Sequence, residues 1–438
     1  MPVWIRLYYG NFGKYNMVKS SIERVRVAII SAIALLSITV QAQPESAHHF
    51  AAQVNAIGNY NNSTTTWLNG GLSRFGLGSS DDGNNVGVLG ELHVGYKYDA
   101  TNRLSFRTHF QAMKATEDSS ARSLGIVEFK ARYVAHSSWD KQVTITAGQF
   151  FLPTSMENID RFWESPYTIS FSTLNSWIGE EFRPIGLDLG YAKTLDSGSR
   201  WSVSGTAFGG NDSMGALLAW RGWSNGRHRS VFGDTLSLPD LIVLDEGGEF
   251  EAQRDDGTKP FGRDLDGNVG FSVRSSWRSV DDYVLNFAWV DNMGDTELHH
   301  GEYAWRTKFG VAGGAWNITS KLELLGEFSR GSSTMGEGPG VDIDFYSAYV
   351  LASYLVNSLR YSARFEKFGT KDRDVVDNEN NDTGLGYTIA LMWEPSESHF
   401  SGGGEVLYVD SKRNRTTTMG SFEDKERISI SVIGKYVF

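Results

Sequence analysis

The stretch Ile428-Ser429-Ile430-Ser431-Val432-Ile433-Gly434-Lys435-Tyr436-Val437-Phe438 alternates with a period of two. Ile428, Ile430, Val432, Tyr436 and Phe438 fall on one side, with Gly434 among them, and Ser429, Ser431 and Lys435 fall on the other. An extended chain turns successive side chains to opposite faces, so this is a strand with one apolar face. Its apolar face includes the terminal residue, and it sets the pattern to look for in the rest of the chain.

At the other end, residues 27–40 are apolar except for Ser31, Ser37 and Thr39, follow Lys19, Arg24 and Arg26, and lead into Val40-Gln41-Ala42. This reads as a secretory signal peptide cleaved after Ala42, with Met1 or Met17 as the start; the run is short for a membrane-spanning helix. Residues 1–42 are therefore set aside as a leader and residues 43–438 as the mature domain.

The 438 residues include no Cys, 48 Gly, 9 Pro and 13% aromatic residues, with a net charge of −11. The missing cysteines exclude disulfide scaffolds, thiol catalysis and thiolate metal sites. An acidic chain is not a bulk nucleic-acid binder. Many aromatics on a polar average suit a membrane barrel, in which only alternate residues meet lipid. A secreted β-sandwich or propeller is the alternative, though no repeat of fixed length is present.

Cutting at polar and Gly-rich segments leaves sixteen candidate strands, at 48–60, 87–98, 101–114, 123–135, 141–152, 183–193, 199–210, 268–278, 281–290, 302–315, 319–330, 341–356, 357–368, 382–393, 396–410 and 424–438. Each reaches the about 9–11 residues that a tilted span needs. The connections alternate between short ones, such as 99–100, 136–140 and 394–395, and long ones, such as 61–86, 153–182 and 211–267. Short turns on one side and long loops on the other define a transmembrane antiparallel β-barrel. Facing is clean where Leu385, Tyr387, Ile389, Leu391 and Trp393 oppose Gly386, Thr388 and Ala390, where Tyr283, Leu285, Phe287 and Trp289 share a side, and where Leu322, Leu324 and Phe328 oppose Lys321, Glu323 and Glu327.

The strand 428–438, ending on an aromatic residue, resembles the C-terminal signature of bacterial outer-membrane barrels. Gly148-Gln149-Phe150-Phe151-Leu152-Pro153 with Ser155-Met156-Glu157, and Arg183-Pro184-Ile185-Gly186 with residues 187–191, resemble the segments flanking the third loop in the phosphate-selective porins, the O and P porins. The resemblance implies a homotrimeric sixteen-stranded channel in the Gram-negative outer membrane, in contact with lipid and lipopolysaccharide, with the third external loop folded inward. It does not carry phosphate selectivity, because that loop is acidic here.

Loop 153–182 carries Glu157, Asp160, Glu164, Glu180 and Glu181 against Arg161, with Phe162, Trp163, Tyr167, Phe171 and Trp177. So much apolar surface favours packing inside the barrel. Glu157, Asp160, Arg161, Trp163 and Glu164 are the candidate constriction, although these residues also suit a role of anchoring the loop. Alternation assigns Lys97, Arg103, Arg107, Lys130, Arg132, Arg274, Arg306, Lys308, Lys321, Arg360 and Arg364 to the lumen, with Glu91, Glu128, Asp188, Glu323, Glu327 and Glu366. Arg103, Arg107, Lys130, Arg132, Arg360 and Arg364 are the candidate basic wall, which facing an acidic loop would set a transverse field for selecting solutes. Mutual neutralisation without any role in selection is the alternative.

The insertion 211–267 has Trp220, Arg221, Trp223, Arg227, His228 and Arg229 early, then Asp245, Glu246, Glu249, Glu251, Asp255, Asp256, Asp264 and Asp266. Carboxylates near Gly257 and Gly267 suit Ca²⁺, but no complete calcium-loop spacing is present. A solvated acidic loop is the expectation, with a lid or a subunit contact as alternatives. The expected function is a diffusion channel for small hydrophilic solutes or ions, with no catalytic residue, cofactor or metal. A channel specific for sugars or aromatic acids is the alternative, followed by a plugged adhesive barrel. A hydrolase would need partners for isolated histidines such as His93, His109 and His136, and no such arrangement is legible.

Overall fold

The computed structural model describes residues 47–78, 84–115, 121–254, 257–336, 338, 340–374, 380–413 and 427–438. The expected leader, residues 1–42, and Asp255 and Asp256 lie outside the described residues.

Sixteen antiparallel strands close into one barrel, as expected. They are β1 (His48–Asn61), β2 (Asn85–Asp99), β3 (Leu104–Ala115), β4 (Leu124–Ser137), β5 (Lys141–Gln149), β6 (Ile185–Thr194), β7 (Arg200–Gly209), β8 (Gly270–Arg278), β9 (Tyr283–Asp291), β10 (Arg306–Asn317), β11 (Leu322–Met335), β12 (Val341–Val356), β13 (Leu359–Asp372), β14 (Asp382–Trp393), β15 (Phe400–Arg413) and β16 (Arg427–Val437). β16 pairs with β1 and closes the sheet, Ala56 standing opposite Gly434. Closure removes the sheet edges, which a strand structure in lipid requires.

The opening strand faces as its alternation requires. Ile430, Val432, Tyr436 and Phe438 are exposed outward, whereas Ser429, Ser431 and Lys435 are buried inward. Leu385, Tyr387, Ile389, Leu391 and Trp393 also look out, as do Leu285, Phe287 and Trp289. Trp201, Trp316, Tyr354, Tyr361 and Trp393 sit near the short-turn ends of their strands and are exposed, forming an interfacial aromatic girdle.

One strand reverses the expected polarity. In β10, Thr307, Phe309 and Val311 are buried inward, so Arg306 and Lys308, expected in the lumen, stand on the outer face. The upper half of β12 has the same inward apolar face: Val341, Ile343 and Phe345 are fully buried and Asp342 and Asp344 take the outer face. The cause is what fills the barrel. The insertion, expected as a solvated loop, enters the lumen, and its helix Ala216–Trp220 is buried throughout. Trp177, Phe309 and Phe345 pack edge to face at 5.0 and 5.3 Å, and Trp177 meets Trp223 at 6.0 Å. An apolar plug makes an inward apolar face favourable there, so local alternation stays intact while its orientation inverts.

The third loop leaves β5 at Gly148, whose φ of 131° suits glycine and whose missing side chain lets the chain press against the Phe129 carbonyl. Its helix α1 (Thr173–Glu181) is buried at every position, and Ser172 Oγ accepts from Asn175 N at 3.3 Å as the N-cap. Such complete burial places the loop inside the barrel, the expected inward fold.

Candidate functional site

Along β16, β1, β2 and β3 the inward residues order themselves from the external end to the short-turn end. On β2 the order is Leu89, Glu91, His93, Gly95 and Lys97; on β3 it is Met113, Gln111, His109 and Arg107. This wall carries three successive zones.

At the short-turn end lies a chamber of about 890 Å³ whose charged lining is Arg107, Lys130, Arg161 and Arg278 with Glu128, Asp160, Asp282 and Glu323. It continues into spaces of about 440 and 530 Å³ that share Arg107 and Lys130. Lys97 stands opposite Arg107 and Arg107 opposite Lys130, a row of like charges across three strands. Direct like-charge neighbours are destabilising in a sheet. Asp99 at 2.6 Å offsets Lys97 and Glu128 at 3.1 Å offsets Lys130. Arg274 pairs with Asp188. Among the described residues, Arg107, Arg132, Arg161 and Arg278 have no carboxylate in salt-bridge reach, and Asp160, Asp282 and Glu323 have no cation in reach, so the three spaces together keep a small positive excess.

The middle zone is a barrier. Phe162 and Trp163 are consecutive left-handed residues (φ 60° and 59°), a conformation that costs a bulky side chain roughly 1–2 kcal/mol each. Aromatic contacts hold the turn. Trp163 stacks on Phe151 at 4.0 Å, and Phe162 lies 5.3 Å from the His93 ring and 4.8 Å from that of His109. His93 Nδ1 is 3.2 Å from His109 Nε2.

Glu164 lies beside them, 2% exposed, and takes four donors: Asn55 at 2.8 Å, Arg227 at 2.7 Å, Gln53 at 3.0 Å and Lys435 at 3.0 Å. Arg227 also donates to Glu91 at 3.0 and 2.7 Å, and Arg229 approaches Glu91 to 3.5 Å. Burial pushes the Glu164 carboxyl up, but Lys435, Arg227 and Arg229 outweigh it and hold it well below the usual carboxylate range. Buried carboxylates with this many charged donors close the wall tightly.

The third zone is a pocket of about 130 Å³ on the external side, for which Glu91 and Arg227 form part of the floor.

The expected constriction residues have different fates. Glu157 is fully buried against Arg364 and accepts from Ser172 N at 2.9 Å and Asn175 Nδ2 at 3.1 Å, fastening the loop. Asp160 is exposed and caps Arg161 N at 2.7 Å; Arg161 reaches into the chamber, and Trp163 packs on the loop base. Glu180 bonds Arg221 at 2.8 Å. Glu181 receives Trp177 Nε1 at 2.7 Å and Leu217 N at 3.0 Å, and burial pushes its carboxyl up to about 7. The acidic loop thus spends its carboxylates on internal bonds, which corrects the expected transverse field: of its carboxylates, only Asp160 is exposed.

On the wall, Arg107 and Lys130 line the chamber, and Arg132 lines the adjoining space of about 440 Å³. Arg103 lies in the exposed turn before β3, not on the wall. Arg360 stacks over Tyr167 at 5.2 Å. Arg364 is sealed between Glu157 and Glu366 with no solvent contact. Alternation placed Glu91 in the lumen, but sequence gave no role to Glu91, His93, His109, Arg227, Arg229 or Lys435. The Arg227-His228-Arg229 cluster in an otherwise acidic insertion was the available signal for a buried acidic partner.

Three groups of carboxylate or imidazole ligands lie close enough for a metal among the described residues, and in one of them, Asp295, Glu297 and His299, the imidazole already pairs with Asp295 at 2.8 Å. Glu91, His93 and Glu164 already face Arg227, Arg229 and Lys435, which repel a cation. Asp212, Asp264 and Asp266 form a cluster at the edge of the insertion, and Asp212 Oδ2 already accepts Leu265 N at 2.5 Å.

No family model and no curated protein matches the sequence. Among solved structures the chain is similar to the anion-selective porin of Comamonas acidovorans, at 11% identity and a TM-score of 0.51 over 89% of this chain and 99% of that one. It also aligns with OmpT of Vibrio cholerae (8%, TM-score 0.49, 91% and 100%) and with Salmonella typhi OmpF in complex with daunomycin (10%, 0.47, 89% and 97%). At these identities the likeness is one of fold. The chain has the closed sixteen-stranded fold of a bacterial porin. Its apolar outer face and aromatic girdle are those of a membrane-embedded barrel.

Proposed function

We propose that this barrel is a homotrimeric outer-membrane porin that passes small hydrophilic solutes by diffusion, prefers anions, and performs no chemical step. The observation that carries the reading is the chamber of about 890 Å³ inside a closed barrel, continuous with spaces whose cations outnumber their carboxylates, Arg107 and Arg161 among them with no carboxylate in salt-bridge reach among the described residues. Unpaired cations in a confined aqueous space raise the local anion concentration. The resemblance of residues 148–153 and 183–186 to the O and P porins supports the inward loop. Buried loop carboxylates remove the argument that the loop itself rejects anions.

The test is the reversal potential of purified protein in a planar bilayer under a KCl gradient. Anion preference is expected for the wild type, with a shift toward cations in Arg107→Gln/Arg132→Gln. Folded, inserted protein without conductance would rule the channel out.

The second reading is a substrate-specific channel, favoured by the barrier itself. Glu164, Arg227 and His93 close the wall between two spaces, so passage requires this network to yield.

A further inference from the structure

The external pocket has the build of a ligand site. Its walls include Ile57, Leu77, Leu89, Met113, Ile169 and Leu407, and its floor carries Arg227, His228 and Asn225. Two floor residues hold polar atoms without partners. Both ring nitrogens of His228, a residue 5% exposed, lack a hydrogen bond, and Asp234 lies 3.7 Å away, beyond hydrogen-bond reach. Asn225, 2% exposed, donates its Nδ2 to Phe171 O at 3.3 Å and to Glu366 at 3.1 Å, leaving Oδ1 unpaired. Buried polar atoms in native structures nearly always find a partner, so two such residues in one apolar pocket point to a ligand or ordered water.

Charge selects the ligand class. The two acids of the lining are already taken: Glu91 by Arg227, and Glu405 by Ile169 N at 2.7 Å and Ser170 N at 3.1 Å. Arg122 stands among the lining residues on the external side. The available complement is therefore anionic. The volume of about 130 Å³ is close to that of cavities of roughly 150 Å³ that take a single benzene ring.

We propose that this pocket binds a small carboxylic acid with one aromatic ring or a branched apolar body, its carboxylate toward His228 and Arg227 and its body against Leu89 and Met113. A ligand hydroxyl or a water satisfies Asn225 Oδ1. The inference deepens the substrate-specific reading of the channel and rests on it for its physiological meaning. A carboxylate on Arg227 competes with Glu91 and Glu164 for the same N–H groups, so occupancy weakens the barrier directly beneath the pocket.

The experiment is calorimetric titration of the full-length protein, folded in detergent micelles, with benzoate, acetate and benzyl alcohol. KCl conductance of the same preparations is recorded separately. Benzoate is expected to bind the wild type at least about tenfold more tightly than either comparator, since each lacks the ring or the charge. Ala115→Phe, which fills the pocket, abolishes benzoate binding. His228→Phe keeps the ring shape, removes the hydrogen bond and weakens binding about tenfold. Heat-modifiable gel mobility checks folding, and His228→Phe decides if Ala115→Phe does not fold. Absence of benzoate binding to folded protein, or binding that neither variant changes, overturns the proposal. Binding at the pocket without KCl conductance leaves the site standing and removes the channel reading; conductance without binding does the reverse.

Discussion

Glu164→Gln should loosen the barrier without unfolding the barrel. In the wild type two carboxylate oxygens satisfy four donors, two of them cationic, at 2.7–3.0 Å. Glutamine has one acceptor oxygen, so two donors lose their partner and the amide NH₂ is pressed against them. Breaking a buried ion pair from one side costs about 3–5 kcal/mol. The loop keeps its other fastenings, Glu157 on Arg364 and Phe151 N on Glu128 at 2.8 Å, so the cost falls on the tip around Phe162. If about 3 kcal/mol of closure is lost, the open population relative to the closed one rises on the order of a hundredfold. The remaining Arg227, Arg229 and Lys435 then face Glu91 with one fewer opposing charge, which adds to anion preference. Single-channel recording in KCl reads both: open probability should rise and the reversal potential should move toward anions. Folded variant with unchanged open probability and unchanged reversal potential would show that this network is not the barrier.

Glu181 gives a pH signature. Its carboxyl is raised from 4.5 to about 7 by burial, so its contribution to stability is fully present below 4.5 and fades as pH rises through about 7. The melting temperature should fall between pH 5 and 8, and Glu181→Gln should flatten that slope; an identical slope in the variant refutes the assignment. Glu164 has the opposite sign, being held below its unfolded value, so its contribution is present above the ordinary carboxylate range and is lost only as pH falls through its lower folded value. Open probability should therefore stay flat from pH 8 to 5, and a rise at pH 5 would contradict this. Arg364→Met leaves Glu157 and Glu366 buried without their cation and should lower stability by about 3–5 kcal/mol, with part recovered in Arg364→Met/Glu157→Gln. Heat-modifiable mobility measures both, and equal midpoints for wild type and single variant would sink the reasoning. Ile389, 70% exposed on the outer face of β14, should cost about 2–4 kcal/mol when changed to Arg if it meets the bilayer midplane. Unfolding from lipid vesicles tests this, and no change would place that face out of lipid.

Much of the fold was legible because it is local. Ile430, Val432 and Tyr436 against Ser429, Ser431 and Lys435 state a strand and its two faces within a few residues. Alternating short and long connections state a barrel and tell its two ends apart. Strand ends were less legible: the strand expected from residue 302 begins at Arg306, after a two-residue ladder between Leu298–His299 and Glu302–Tyr303.

The site was legible in part. The inward third loop followed from its apolar content, and Arg107, Lys130 and Arg132 followed from alternation. The barrier did not, because Glu164 meets Arg227 and Lys435 across 63 and 271 positions of chain. No local pattern links such partners; only the placement of the insertion inside the barrel does.

Sequence by itself determined that this chain is a barrel of about sixteen strands, since a period of two and the lengths of connections are properties of neighbouring residues. Tertiary structure decided which side of β10 and β12 is the inside, where the loop carboxylates go, and which arginines remain unpaired. The physical reason is that a period of two is symmetric: it separates the faces of a strand but does not name them. In β10 the name comes from what fills the lumen: Trp177 and Phe182 of the third loop pack on Phe309 at 5.0 and 5.5 Å and draw that face inward while Arg306 and Lys308 turn out.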